Sequence, residues 1–213
     1  MIVAIDGGVA TGKSAVGKRV AEALGLTFVD SGLMYRAITR IAAERGIDPH
    51  DSEAVAELAR STEVKIDGER VWADGVELTD RIYDADYSEA LPLIAANPGV
   101  REALVEQQRR MGDRGVVMAG RDIGTVVFPN ADHKFFLVAS LDEKVRRRAA
   151  QFEKRGEKVD QDAMRKEVEE RDRVDTQRAV APLRPATDAV VIDTDRLDID
   201  QVVDVILKYI TSK

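Results

Sequence analysis

The stretch that most restricts what this chain can become is residues 2–15. Ile2-Val3-Ala4-Ile5 is an unbroken apolar run closed by Asp6. Gly7-Gly8-Val9-Ala10-Thr11-Gly12-Lys13-Ser14 follows in the pattern Gly-x-x-x-x-Gly-Lys-Ser/Thr, with Ala15 next. The apolar run reads as a buried strand, and Val16, Val20, Ala23 and Leu24 recur behind the loop at helical spacing. Strand, glycine-rich turn and helix in that order form an anion cradle. Glycines let the backbone curl until its N–H groups face phosphate oxygens, and the start of the helix adds its positive end. Lys13 supplies a mobile cation for the distal phosphates, and the Ser14 hydroxyl is a ligand for Mg²⁺. Residues 7–15 are therefore the expected ATP-binding loop. By itself this motif implies a bound nucleoside triphosphate and does not separate a kinase from an ATPase or a GTPase.

The rest of the chain has the organisation such a loop requires. Thr27-Phe28-Val29 is a second short strand, Val116-Val117-Met118-Ala119 a third, and residues 134–139 and 189–192 are two more. Helices are expected over 33–45, 51–60, 81–95, 98–112, 142–154, 161–178 and 199–210. Strands alternating with helices predict an α/β P-loop three-layer fold on a parallel central sheet. Residues 63–79 break the rhythm. Val64 and Ile66, then Val71, then Val76 and Leu78 alternate with polar neighbours, and Asp67-Gly68 and Asp74-Gly75 punctuate them. Two Asp-Gly turns between period-2 runs predict a small antiparallel three-stranded insertion.

Composition narrows the class. The chain has 213 residues, 32 lysines and arginines against 39 aspartates and glutamates, and no cysteine. Disulfides and thiolate metal sites are excluded. A net charge of −7 argues against duplex nucleic acid as a partner, though a local arginine cluster can still hold an anion. The apolar run at the N-terminus is too short to span a membrane. The expectation is a cytoplasmic monomer acting on small molecules, with no nucleic-acid or membrane partner.

Three further blocks single themselves out. Asp30-Ser31-Gly32-Leu33-Met34-Tyr35-Arg36 follows the second strand, and Gly120-Arg121-Asp122-Ile123-Gly124-Thr125 follows the third. Arg171-Asp172-Arg173-Val174-Asp175-Thr176-Gln177-Arg178 closes the long charged helix. Arg171, Asp175 and Arg178 stand at i, i+4 and i+7, on one helix face. On spacing alone that face suits solvated ion pairs as well as a ligand, and Arg36 and Arg101 read as surface arginines. Lys144, Arg146, Arg147 and Arg148 give another helix a basic face, either supplying the transferring phosphoryl or simply solvated. Isolated His50 and His133 suggest neither catalysis nor metal binding, and Trp72 suggests packing.

Taken in order, these blocks and the phosphate loop resemble bacterial cytidylate kinases over nearly the whole chain, with Gly-Arg-Asp-Ile-Gly-Thr as the most specific element. The resemblance implies ATP-dependent phosphorylation of CMP and dCMP with Mg²⁺. It implies a P-loop core of 1–30, 113–147 and 169–213, a monophosphate-binding region of 31–112 containing the insertion, and a helical lid of 148–168. It assigns Ser31, Arg36, Arg101, Arg121, Asp122, Arg171, Asp175 and Arg178 to the acceptor. Asp122 would read the cytosine edge and Asp175 the ribose hydroxyls. Lys13, Arg121 and Arg178 would serve the transferring phosphoryl, with Ser14 on the metal. Ala119 stands where the family carries an acidic residue, with Asp6 a candidate substitute. Pro92 stands in place of a base-contacting serine. Gly8-Val9 replaces Pro-Ser, a change expected to be neutral. The competing readings are a P-loop kinase for UMP or a small alcohol, and a nucleotide-binding protein without catalysis.

Overall fold

The computed structural model describes residues 1–83, 89–154, 156 and 158–212. Five parallel strands form the central sheet: β1 (Ile2–Gly7), β2 (Thr27–Asp30), β6 (Val116–Gly120), β7 (His133–Val138) and β8 (Val190–Asp193), in the order β2-β6-β1-β7-β8. The strand at the phosphate loop is thus central, paired with β6 on one side and β7 on the other.

Period-2 alternation decides which helix covers which face. Val3 and Ile5 point with Val117, Phe135 and Leu137 to one side, where they meet Val16 and Val20 of α1 (Lys13–Leu24). Val202 and Ile206 of α8 (Ile199–Thr211) complete that layer. Ala4, Val116 and Met118 point to the other side and meet Val105, Ile123 and Val127. Helix, sheet and helix make the three layers. α8 starts on a capping box in which Asp198 and Gln201 bond each other's backbone amides, as an acid followed three residues later by Gln predicts.

A second core serves the segment between β2 and β6. α2 (Gly32–Glu44), α3 (Ser52–Ser61), α4 (Ala90–Ala96) and α5 (Pro98–Met111) bury Met34, Ile38, Val55, Ile94 and Leu104 together. The expected insertion is present as β3 (Val64–Asp67), β4 (Arg70–Ala73) and β5 (Val76–Glu77), antiparallel in that order. Both Asp-Gly pairs sit at turns where the glycine takes a left-handed conformation, Gly68 at φ 61° and Gly75 at φ 82°. The helix expected over 81–95 is shorter. A 3₁₀ turn occupies Thr79–Arg81 and α4 begins at Ala90, while part of the expected span, 84–88, lies outside the described residues. Pro92 falls in the first turn of α4, where a missing N–H costs no intrahelical bond.

α6 (Leu141–Glu153) and α7 (Gln161–Gln177) lie against each other over a small cluster of Val145, Met164 and Val168. The fourth buried member is Val9, from the phosphate loop itself. Arg155 and Glu157, in the segment expected to join these helices, lie outside the described residues.

Candidate functional site

The C-terminal ends of β1, β2 and β6 carry three loops to one edge of the sheet, where open α/β sheets bind ligands. From β1 comes the phosphate loop. Gly12 (φ 89°) and Ala10 (φ 55°) both take left-handed backbone, the second against the preference of a residue with a Cβ. Lys13 is buried, and its Nζ donates to Gly8 O at 2.8 Å. Burial first, then Arg121, pushes its amine down to about 7. Ser14 Oγ donates to Asp30 Oδ2 at 2.6 Å, so the hydroxyl named as a metal ligand has a carboxylate beside it from the end of β2. That set of oxygens suits a hard divalent cation.

From β2 comes Ser31, buried, whose N–H and Oγ both donate to Ala119 O, at 3.0 and 2.9 Å. It lies so close to Gly120 that a Cβ there would stand 2.6 Å from Ser31 Oγ. Arg36, one turn along α2, lies over the Tyr83 ring at 5.0 Å. From β6 come Arg121 and Asp122, followed by a π-turn over Ile123–Val127. Asp122 is buried and central. Its Oδ2 accepts from Arg101 Nη2, and its Oδ1 is 3.6 Å from Arg178 Nη2. Arg101 is itself buried and also holds Ala95 O at 2.9 Å.

α7 closes the ring. Asp175 accepts from Arg121 Nε and lies 3.6 Å from Arg178 Nη1. Burial alone would raise its pKa, but Arg121, Arg178 and Arg171 overrule that and hold it below the usual carboxylate range. Ala181, in a left-handed conformation at φ 52°, turns its carbonyl to Arg178 Nε at 2.6 Å. Arg101, Asp122, Arg178, Asp175 and Arg121 thus form one chain of charge contacts, with Ser31 packed against Gly120 next to Arg121.

Arg36 and Arg171 complete the set differently. Neither has an ion-pair partner among the described residues. Burial lowers both pKa values, and neighbouring guanidiniums add to it: Arg121 and Arg36 on Arg171, Arg148 and Arg121 on Arg36. Arg171 is pushed down to about 10. Like charges crowded at partly desolvated positions are costly unless an anion neutralises them.

Several participants escaped the sequence reading. Asp172 Oδ1 accepts from Val9 N at 3.1 Å, and its Oδ2 pairs with Lys144 Nζ at 2.6 Å, which ties α7 and α6 to the phosphate loop. A Cβ on Gly8 would meet Asp172 Oδ1 at 2.7 Å. Together with buried Val9, this gives Gly8-Val9 a packing role against α7. Of the basic face, Lys144 turns inward to the loop. Arg146 pairs with Glu143 in the open, Arg147 holds Thr194, and Arg148 reaches Glu167 at 3.3 Å. Tyr35 is buried beneath Arg101, whose guanidinium carbon is 5.2 Å from the ring centroid. Asp6, considered above as a substitute carboxylate, has both oxygens engaged by backbone amides of the β6 loop. The signals were weak: single carboxylates in an acidic chain form no pattern, and only the R-D-x-x-D-x-x-R spacing set Asp172 beside named residues.

The chain is similar to known proteins over nearly its whole length. The model of a family described as cytidylate kinase matches residues 3–212. A cytidylate kinase from Bacillus subtilis (strain 168) is 42% identical over 216 residues, covering 99% of this chain and 96% of its own. One from Anoxybacillus flavithermus is 43% identical over 210 residues, covering 96% and 93%. A bifunctional pantoate ligase/cytidylate kinase from Synechococcus sp. (strain JA-3-3Ab) is 43% identical over 97% of this chain, which spans only 40% of that longer protein. At the level of fold, a crystal structure of an uncharacterized protein from Eubacterium ventriosum ATCC 27560 superposes over 100% of this chain and 99% of its own. Its TM-score is 0.55 at 14% identity.

Proposed function

The chain belongs to the cytidylate kinase family, and from that membership we propose that it transfers the terminal phosphoryl group of ATP to the phosphate of CMP or dCMP. The observation that carries this reading is the surplus of half-buried guanidinium charge, Arg36 and Arg171 without ion-pair partners among the described residues, close to Arg121 and Lys13.

An oxygen of the acceptor phosphate attacks the γ-phosphorus. The bond from that phosphorus to the β–γ bridging oxygen breaks, its electron pair stays on ADP, and CDP or dCDP forms. The attacking oxygen is already anionic at neutral pH, so no strong general base is required. The protein's work is to hold two polyanions in line and offset their repulsion. Backbone amides of residues 7–15 and the Lys13 ammonium hold the ATP phosphates. Arg36, Arg121 and Arg171 take the acceptor phosphate, since a guanidinium fork meets two oxygens at once. Arg178, flanked by Asp122 and Asp175, serves the transferring phosphoryl. Asp122, oriented by Arg101, accepts from the cytosine amino group, and Asp175 accepts from the ribose hydroxyls. Mg²⁺, when bound, neutralises part of the ATP charge, and Ser14 Oγ with Asp30 would hold it directly or through water.

The residues divide as 1–30, 113–147 and 169–213 for the core, 31–112 for the acceptor region and 148–168 for the lid. The separate cluster of buried residues in α2 to α5 supports the second of these. No helix among the described residues is long and apolar enough to cross a membrane. The reading includes a monomeric cytoplasmic enzyme working on free nucleotides.

The test is an ADP-release assay with CMP, dCMP, UMP and AMP, with and without Mg²⁺. Turnover should require Mg²⁺ and favour the two cytidine nucleotides. Lys13→Ala should cut kcat by about 100-fold or more. Preference for UMP would assign a different acceptor, and ATP binding without turnover on any acceptor would leave only a nucleotide-binding protein.

A further inference from the structure

We infer that Asp6 is a positioning residue for the acceptor nucleotide: its carboxylate is the clamp that holds the Arg121–Asp122 corner in register with the phosphate loop. The inference rests on the reading of this cleft as a cytidylate site.

Asp6 is the last residue before the glycines of the loop, paired in register with Gly120 across the β1–β6 ladder. Its two oxygens accept from two successive backbone amides, Ile123 N and Gly124 N, both at 2.8 Å. These amides lie just beyond Arg121 and Asp122. Charge-assisted bonds to consecutive N–H groups fix the direction of the chain at that point as well as its position. The turn they hold is an unusual one. Asp122 sits at φ −146°, ψ 24°, and its carbonyl accepts from both Val126 N and Val127 N as the π-turn starts. Space is matched to it: a Cβ on Gly124 would lie 3.2 Å from Lys134 Cδ and 3.4 Å from Asp6 Oδ2. Both Asp6 oxygens accept from backbone amides, and the residue is only 4% exposed. It acts through the residues that touch substrate.

The clamp has a protonation state. Two N–H donors are best met by the two equivalent oxygens of the ionised carboxylate; protonation makes one of them a hydroxyl and weakens its acceptance. Burial raises Asp6 to about 7 despite both amide bonds, with Asp122 adding to the rise and Lys13 opposing it. Around it, Lys13 faces it from α1 and Asp122 from the β6 loop. Lys134 of β7 lies beside Gly124 but gives its ammonium to Pro129 O and Asp188. The clamp therefore loosens as pH falls through about 7. The charge of Asp6 itself disfavours the acceptor phosphate, but the loss of two charge-assisted bonds outweighs it.

Asp6→Asn mimics the protonated state, with an amide N–H₂ against one of the donors. At pH 8.5 its KM for CMP should be about tenfold above wild type, while KM for ATP stays within about twofold. At pH 5.5 the two proteins should converge. The second ionisation of CMP acts on both proteins and drops out of the ratio. In wild type, the amide protons of Ile123 and Gly124 should shift together in NMR with an inflection near pH 7, a readout that needs no variant to fold. A CMP-to-ATP ratio of effects near one, a KM ratio independent of pH, or flat amide shifts would overturn the inference. Wild type that fails to phosphorylate CMP at all would instead overturn the cytidylate reading.

Discussion

Lys13 pairs its ammonium with no carboxylate among the described residues, only with the Gly8 carbonyl, and its pKa lies near 7 rather than 10.5. The folded chain therefore holds fewer protons on this amine than the unfolded one between about pH 7 and 10.5. Its contribution to stability rises with pH across that window. A triphosphate laid against it restores the charge, because an opposite charge favours the protonated form. ATP binding should then take up close to one proton at pH 8 and little at pH 6. Calorimetry in buffers of different ionisation enthalpy reads this directly, and Lys13→Ala should abolish the difference. The loop residues were legible in the sequence because their spacing is a rigid geometric demand. The contacts of Asp6 and Asp172 were not, since each reaches backbone far along the chain, and nothing near in sequence marks a carboxylate that will meet an amide 117 residues away.

At the scale of elements, the phosphate loop is joined to α7 by two contacts, the Val9 side chain among Val145, Met164 and Val168, and the Val9 amide on Asp172. Gly8 makes room for the second. Gly8→Ala should push the Asp172 carboxylate aside and free Lys144 with little change in fold, since the atom displaced is the end of a flexible side chain. We expect KM for ATP to rise about fivefold, together with faster ATP hydrolysis in the absence of acceptor, because lid closure would lose a fixed partner. Unchanged hydrolysis would show that the contact does not govern closure. The insertion was readable because Asp-Gly turns and period-2 runs agree. The π-turn at Ile123–Val127 was not, because Ile-Gly-Thr-Val-Val has no periodicity that separates it from a strand. The helix expected over 81–95 failed for a related reason: Pro92 marks a helix start rather than an interior.

For the whole molecule, the three layers and the acceptor region have separate buried clusters, and damage to each should be felt differently. Leu104 and Ile206 are both fully buried, the first among α2 to α5 and the second under the sheet. Either one changed to Ala should cost about 2–5 kcal/mol in urea unfolding. Leu104 shares α5 with Arg101, so Leu104→Ala should also raise KM for CMP well below the unfolding transition, whereas Ile206→Ala should not. The layered fold was legible from alternating strands and helices, while the separation of the clusters depends on which helices touch, which periodicity does not reveal.

The loops that would grip the two nucleotides leave neighbouring strands, with Asp6 and Gly120 side by side at the last rung of the ladder. Adjacent parallel strands stand about 4.8 Å apart whatever their side chains. The points from which the two loops depart are accordingly inherited from backbone hydrogen bonding. Mutation can retune which guest is admitted and how firmly, yet the footing shared by both loops is as fixed as the spacing of the sheet.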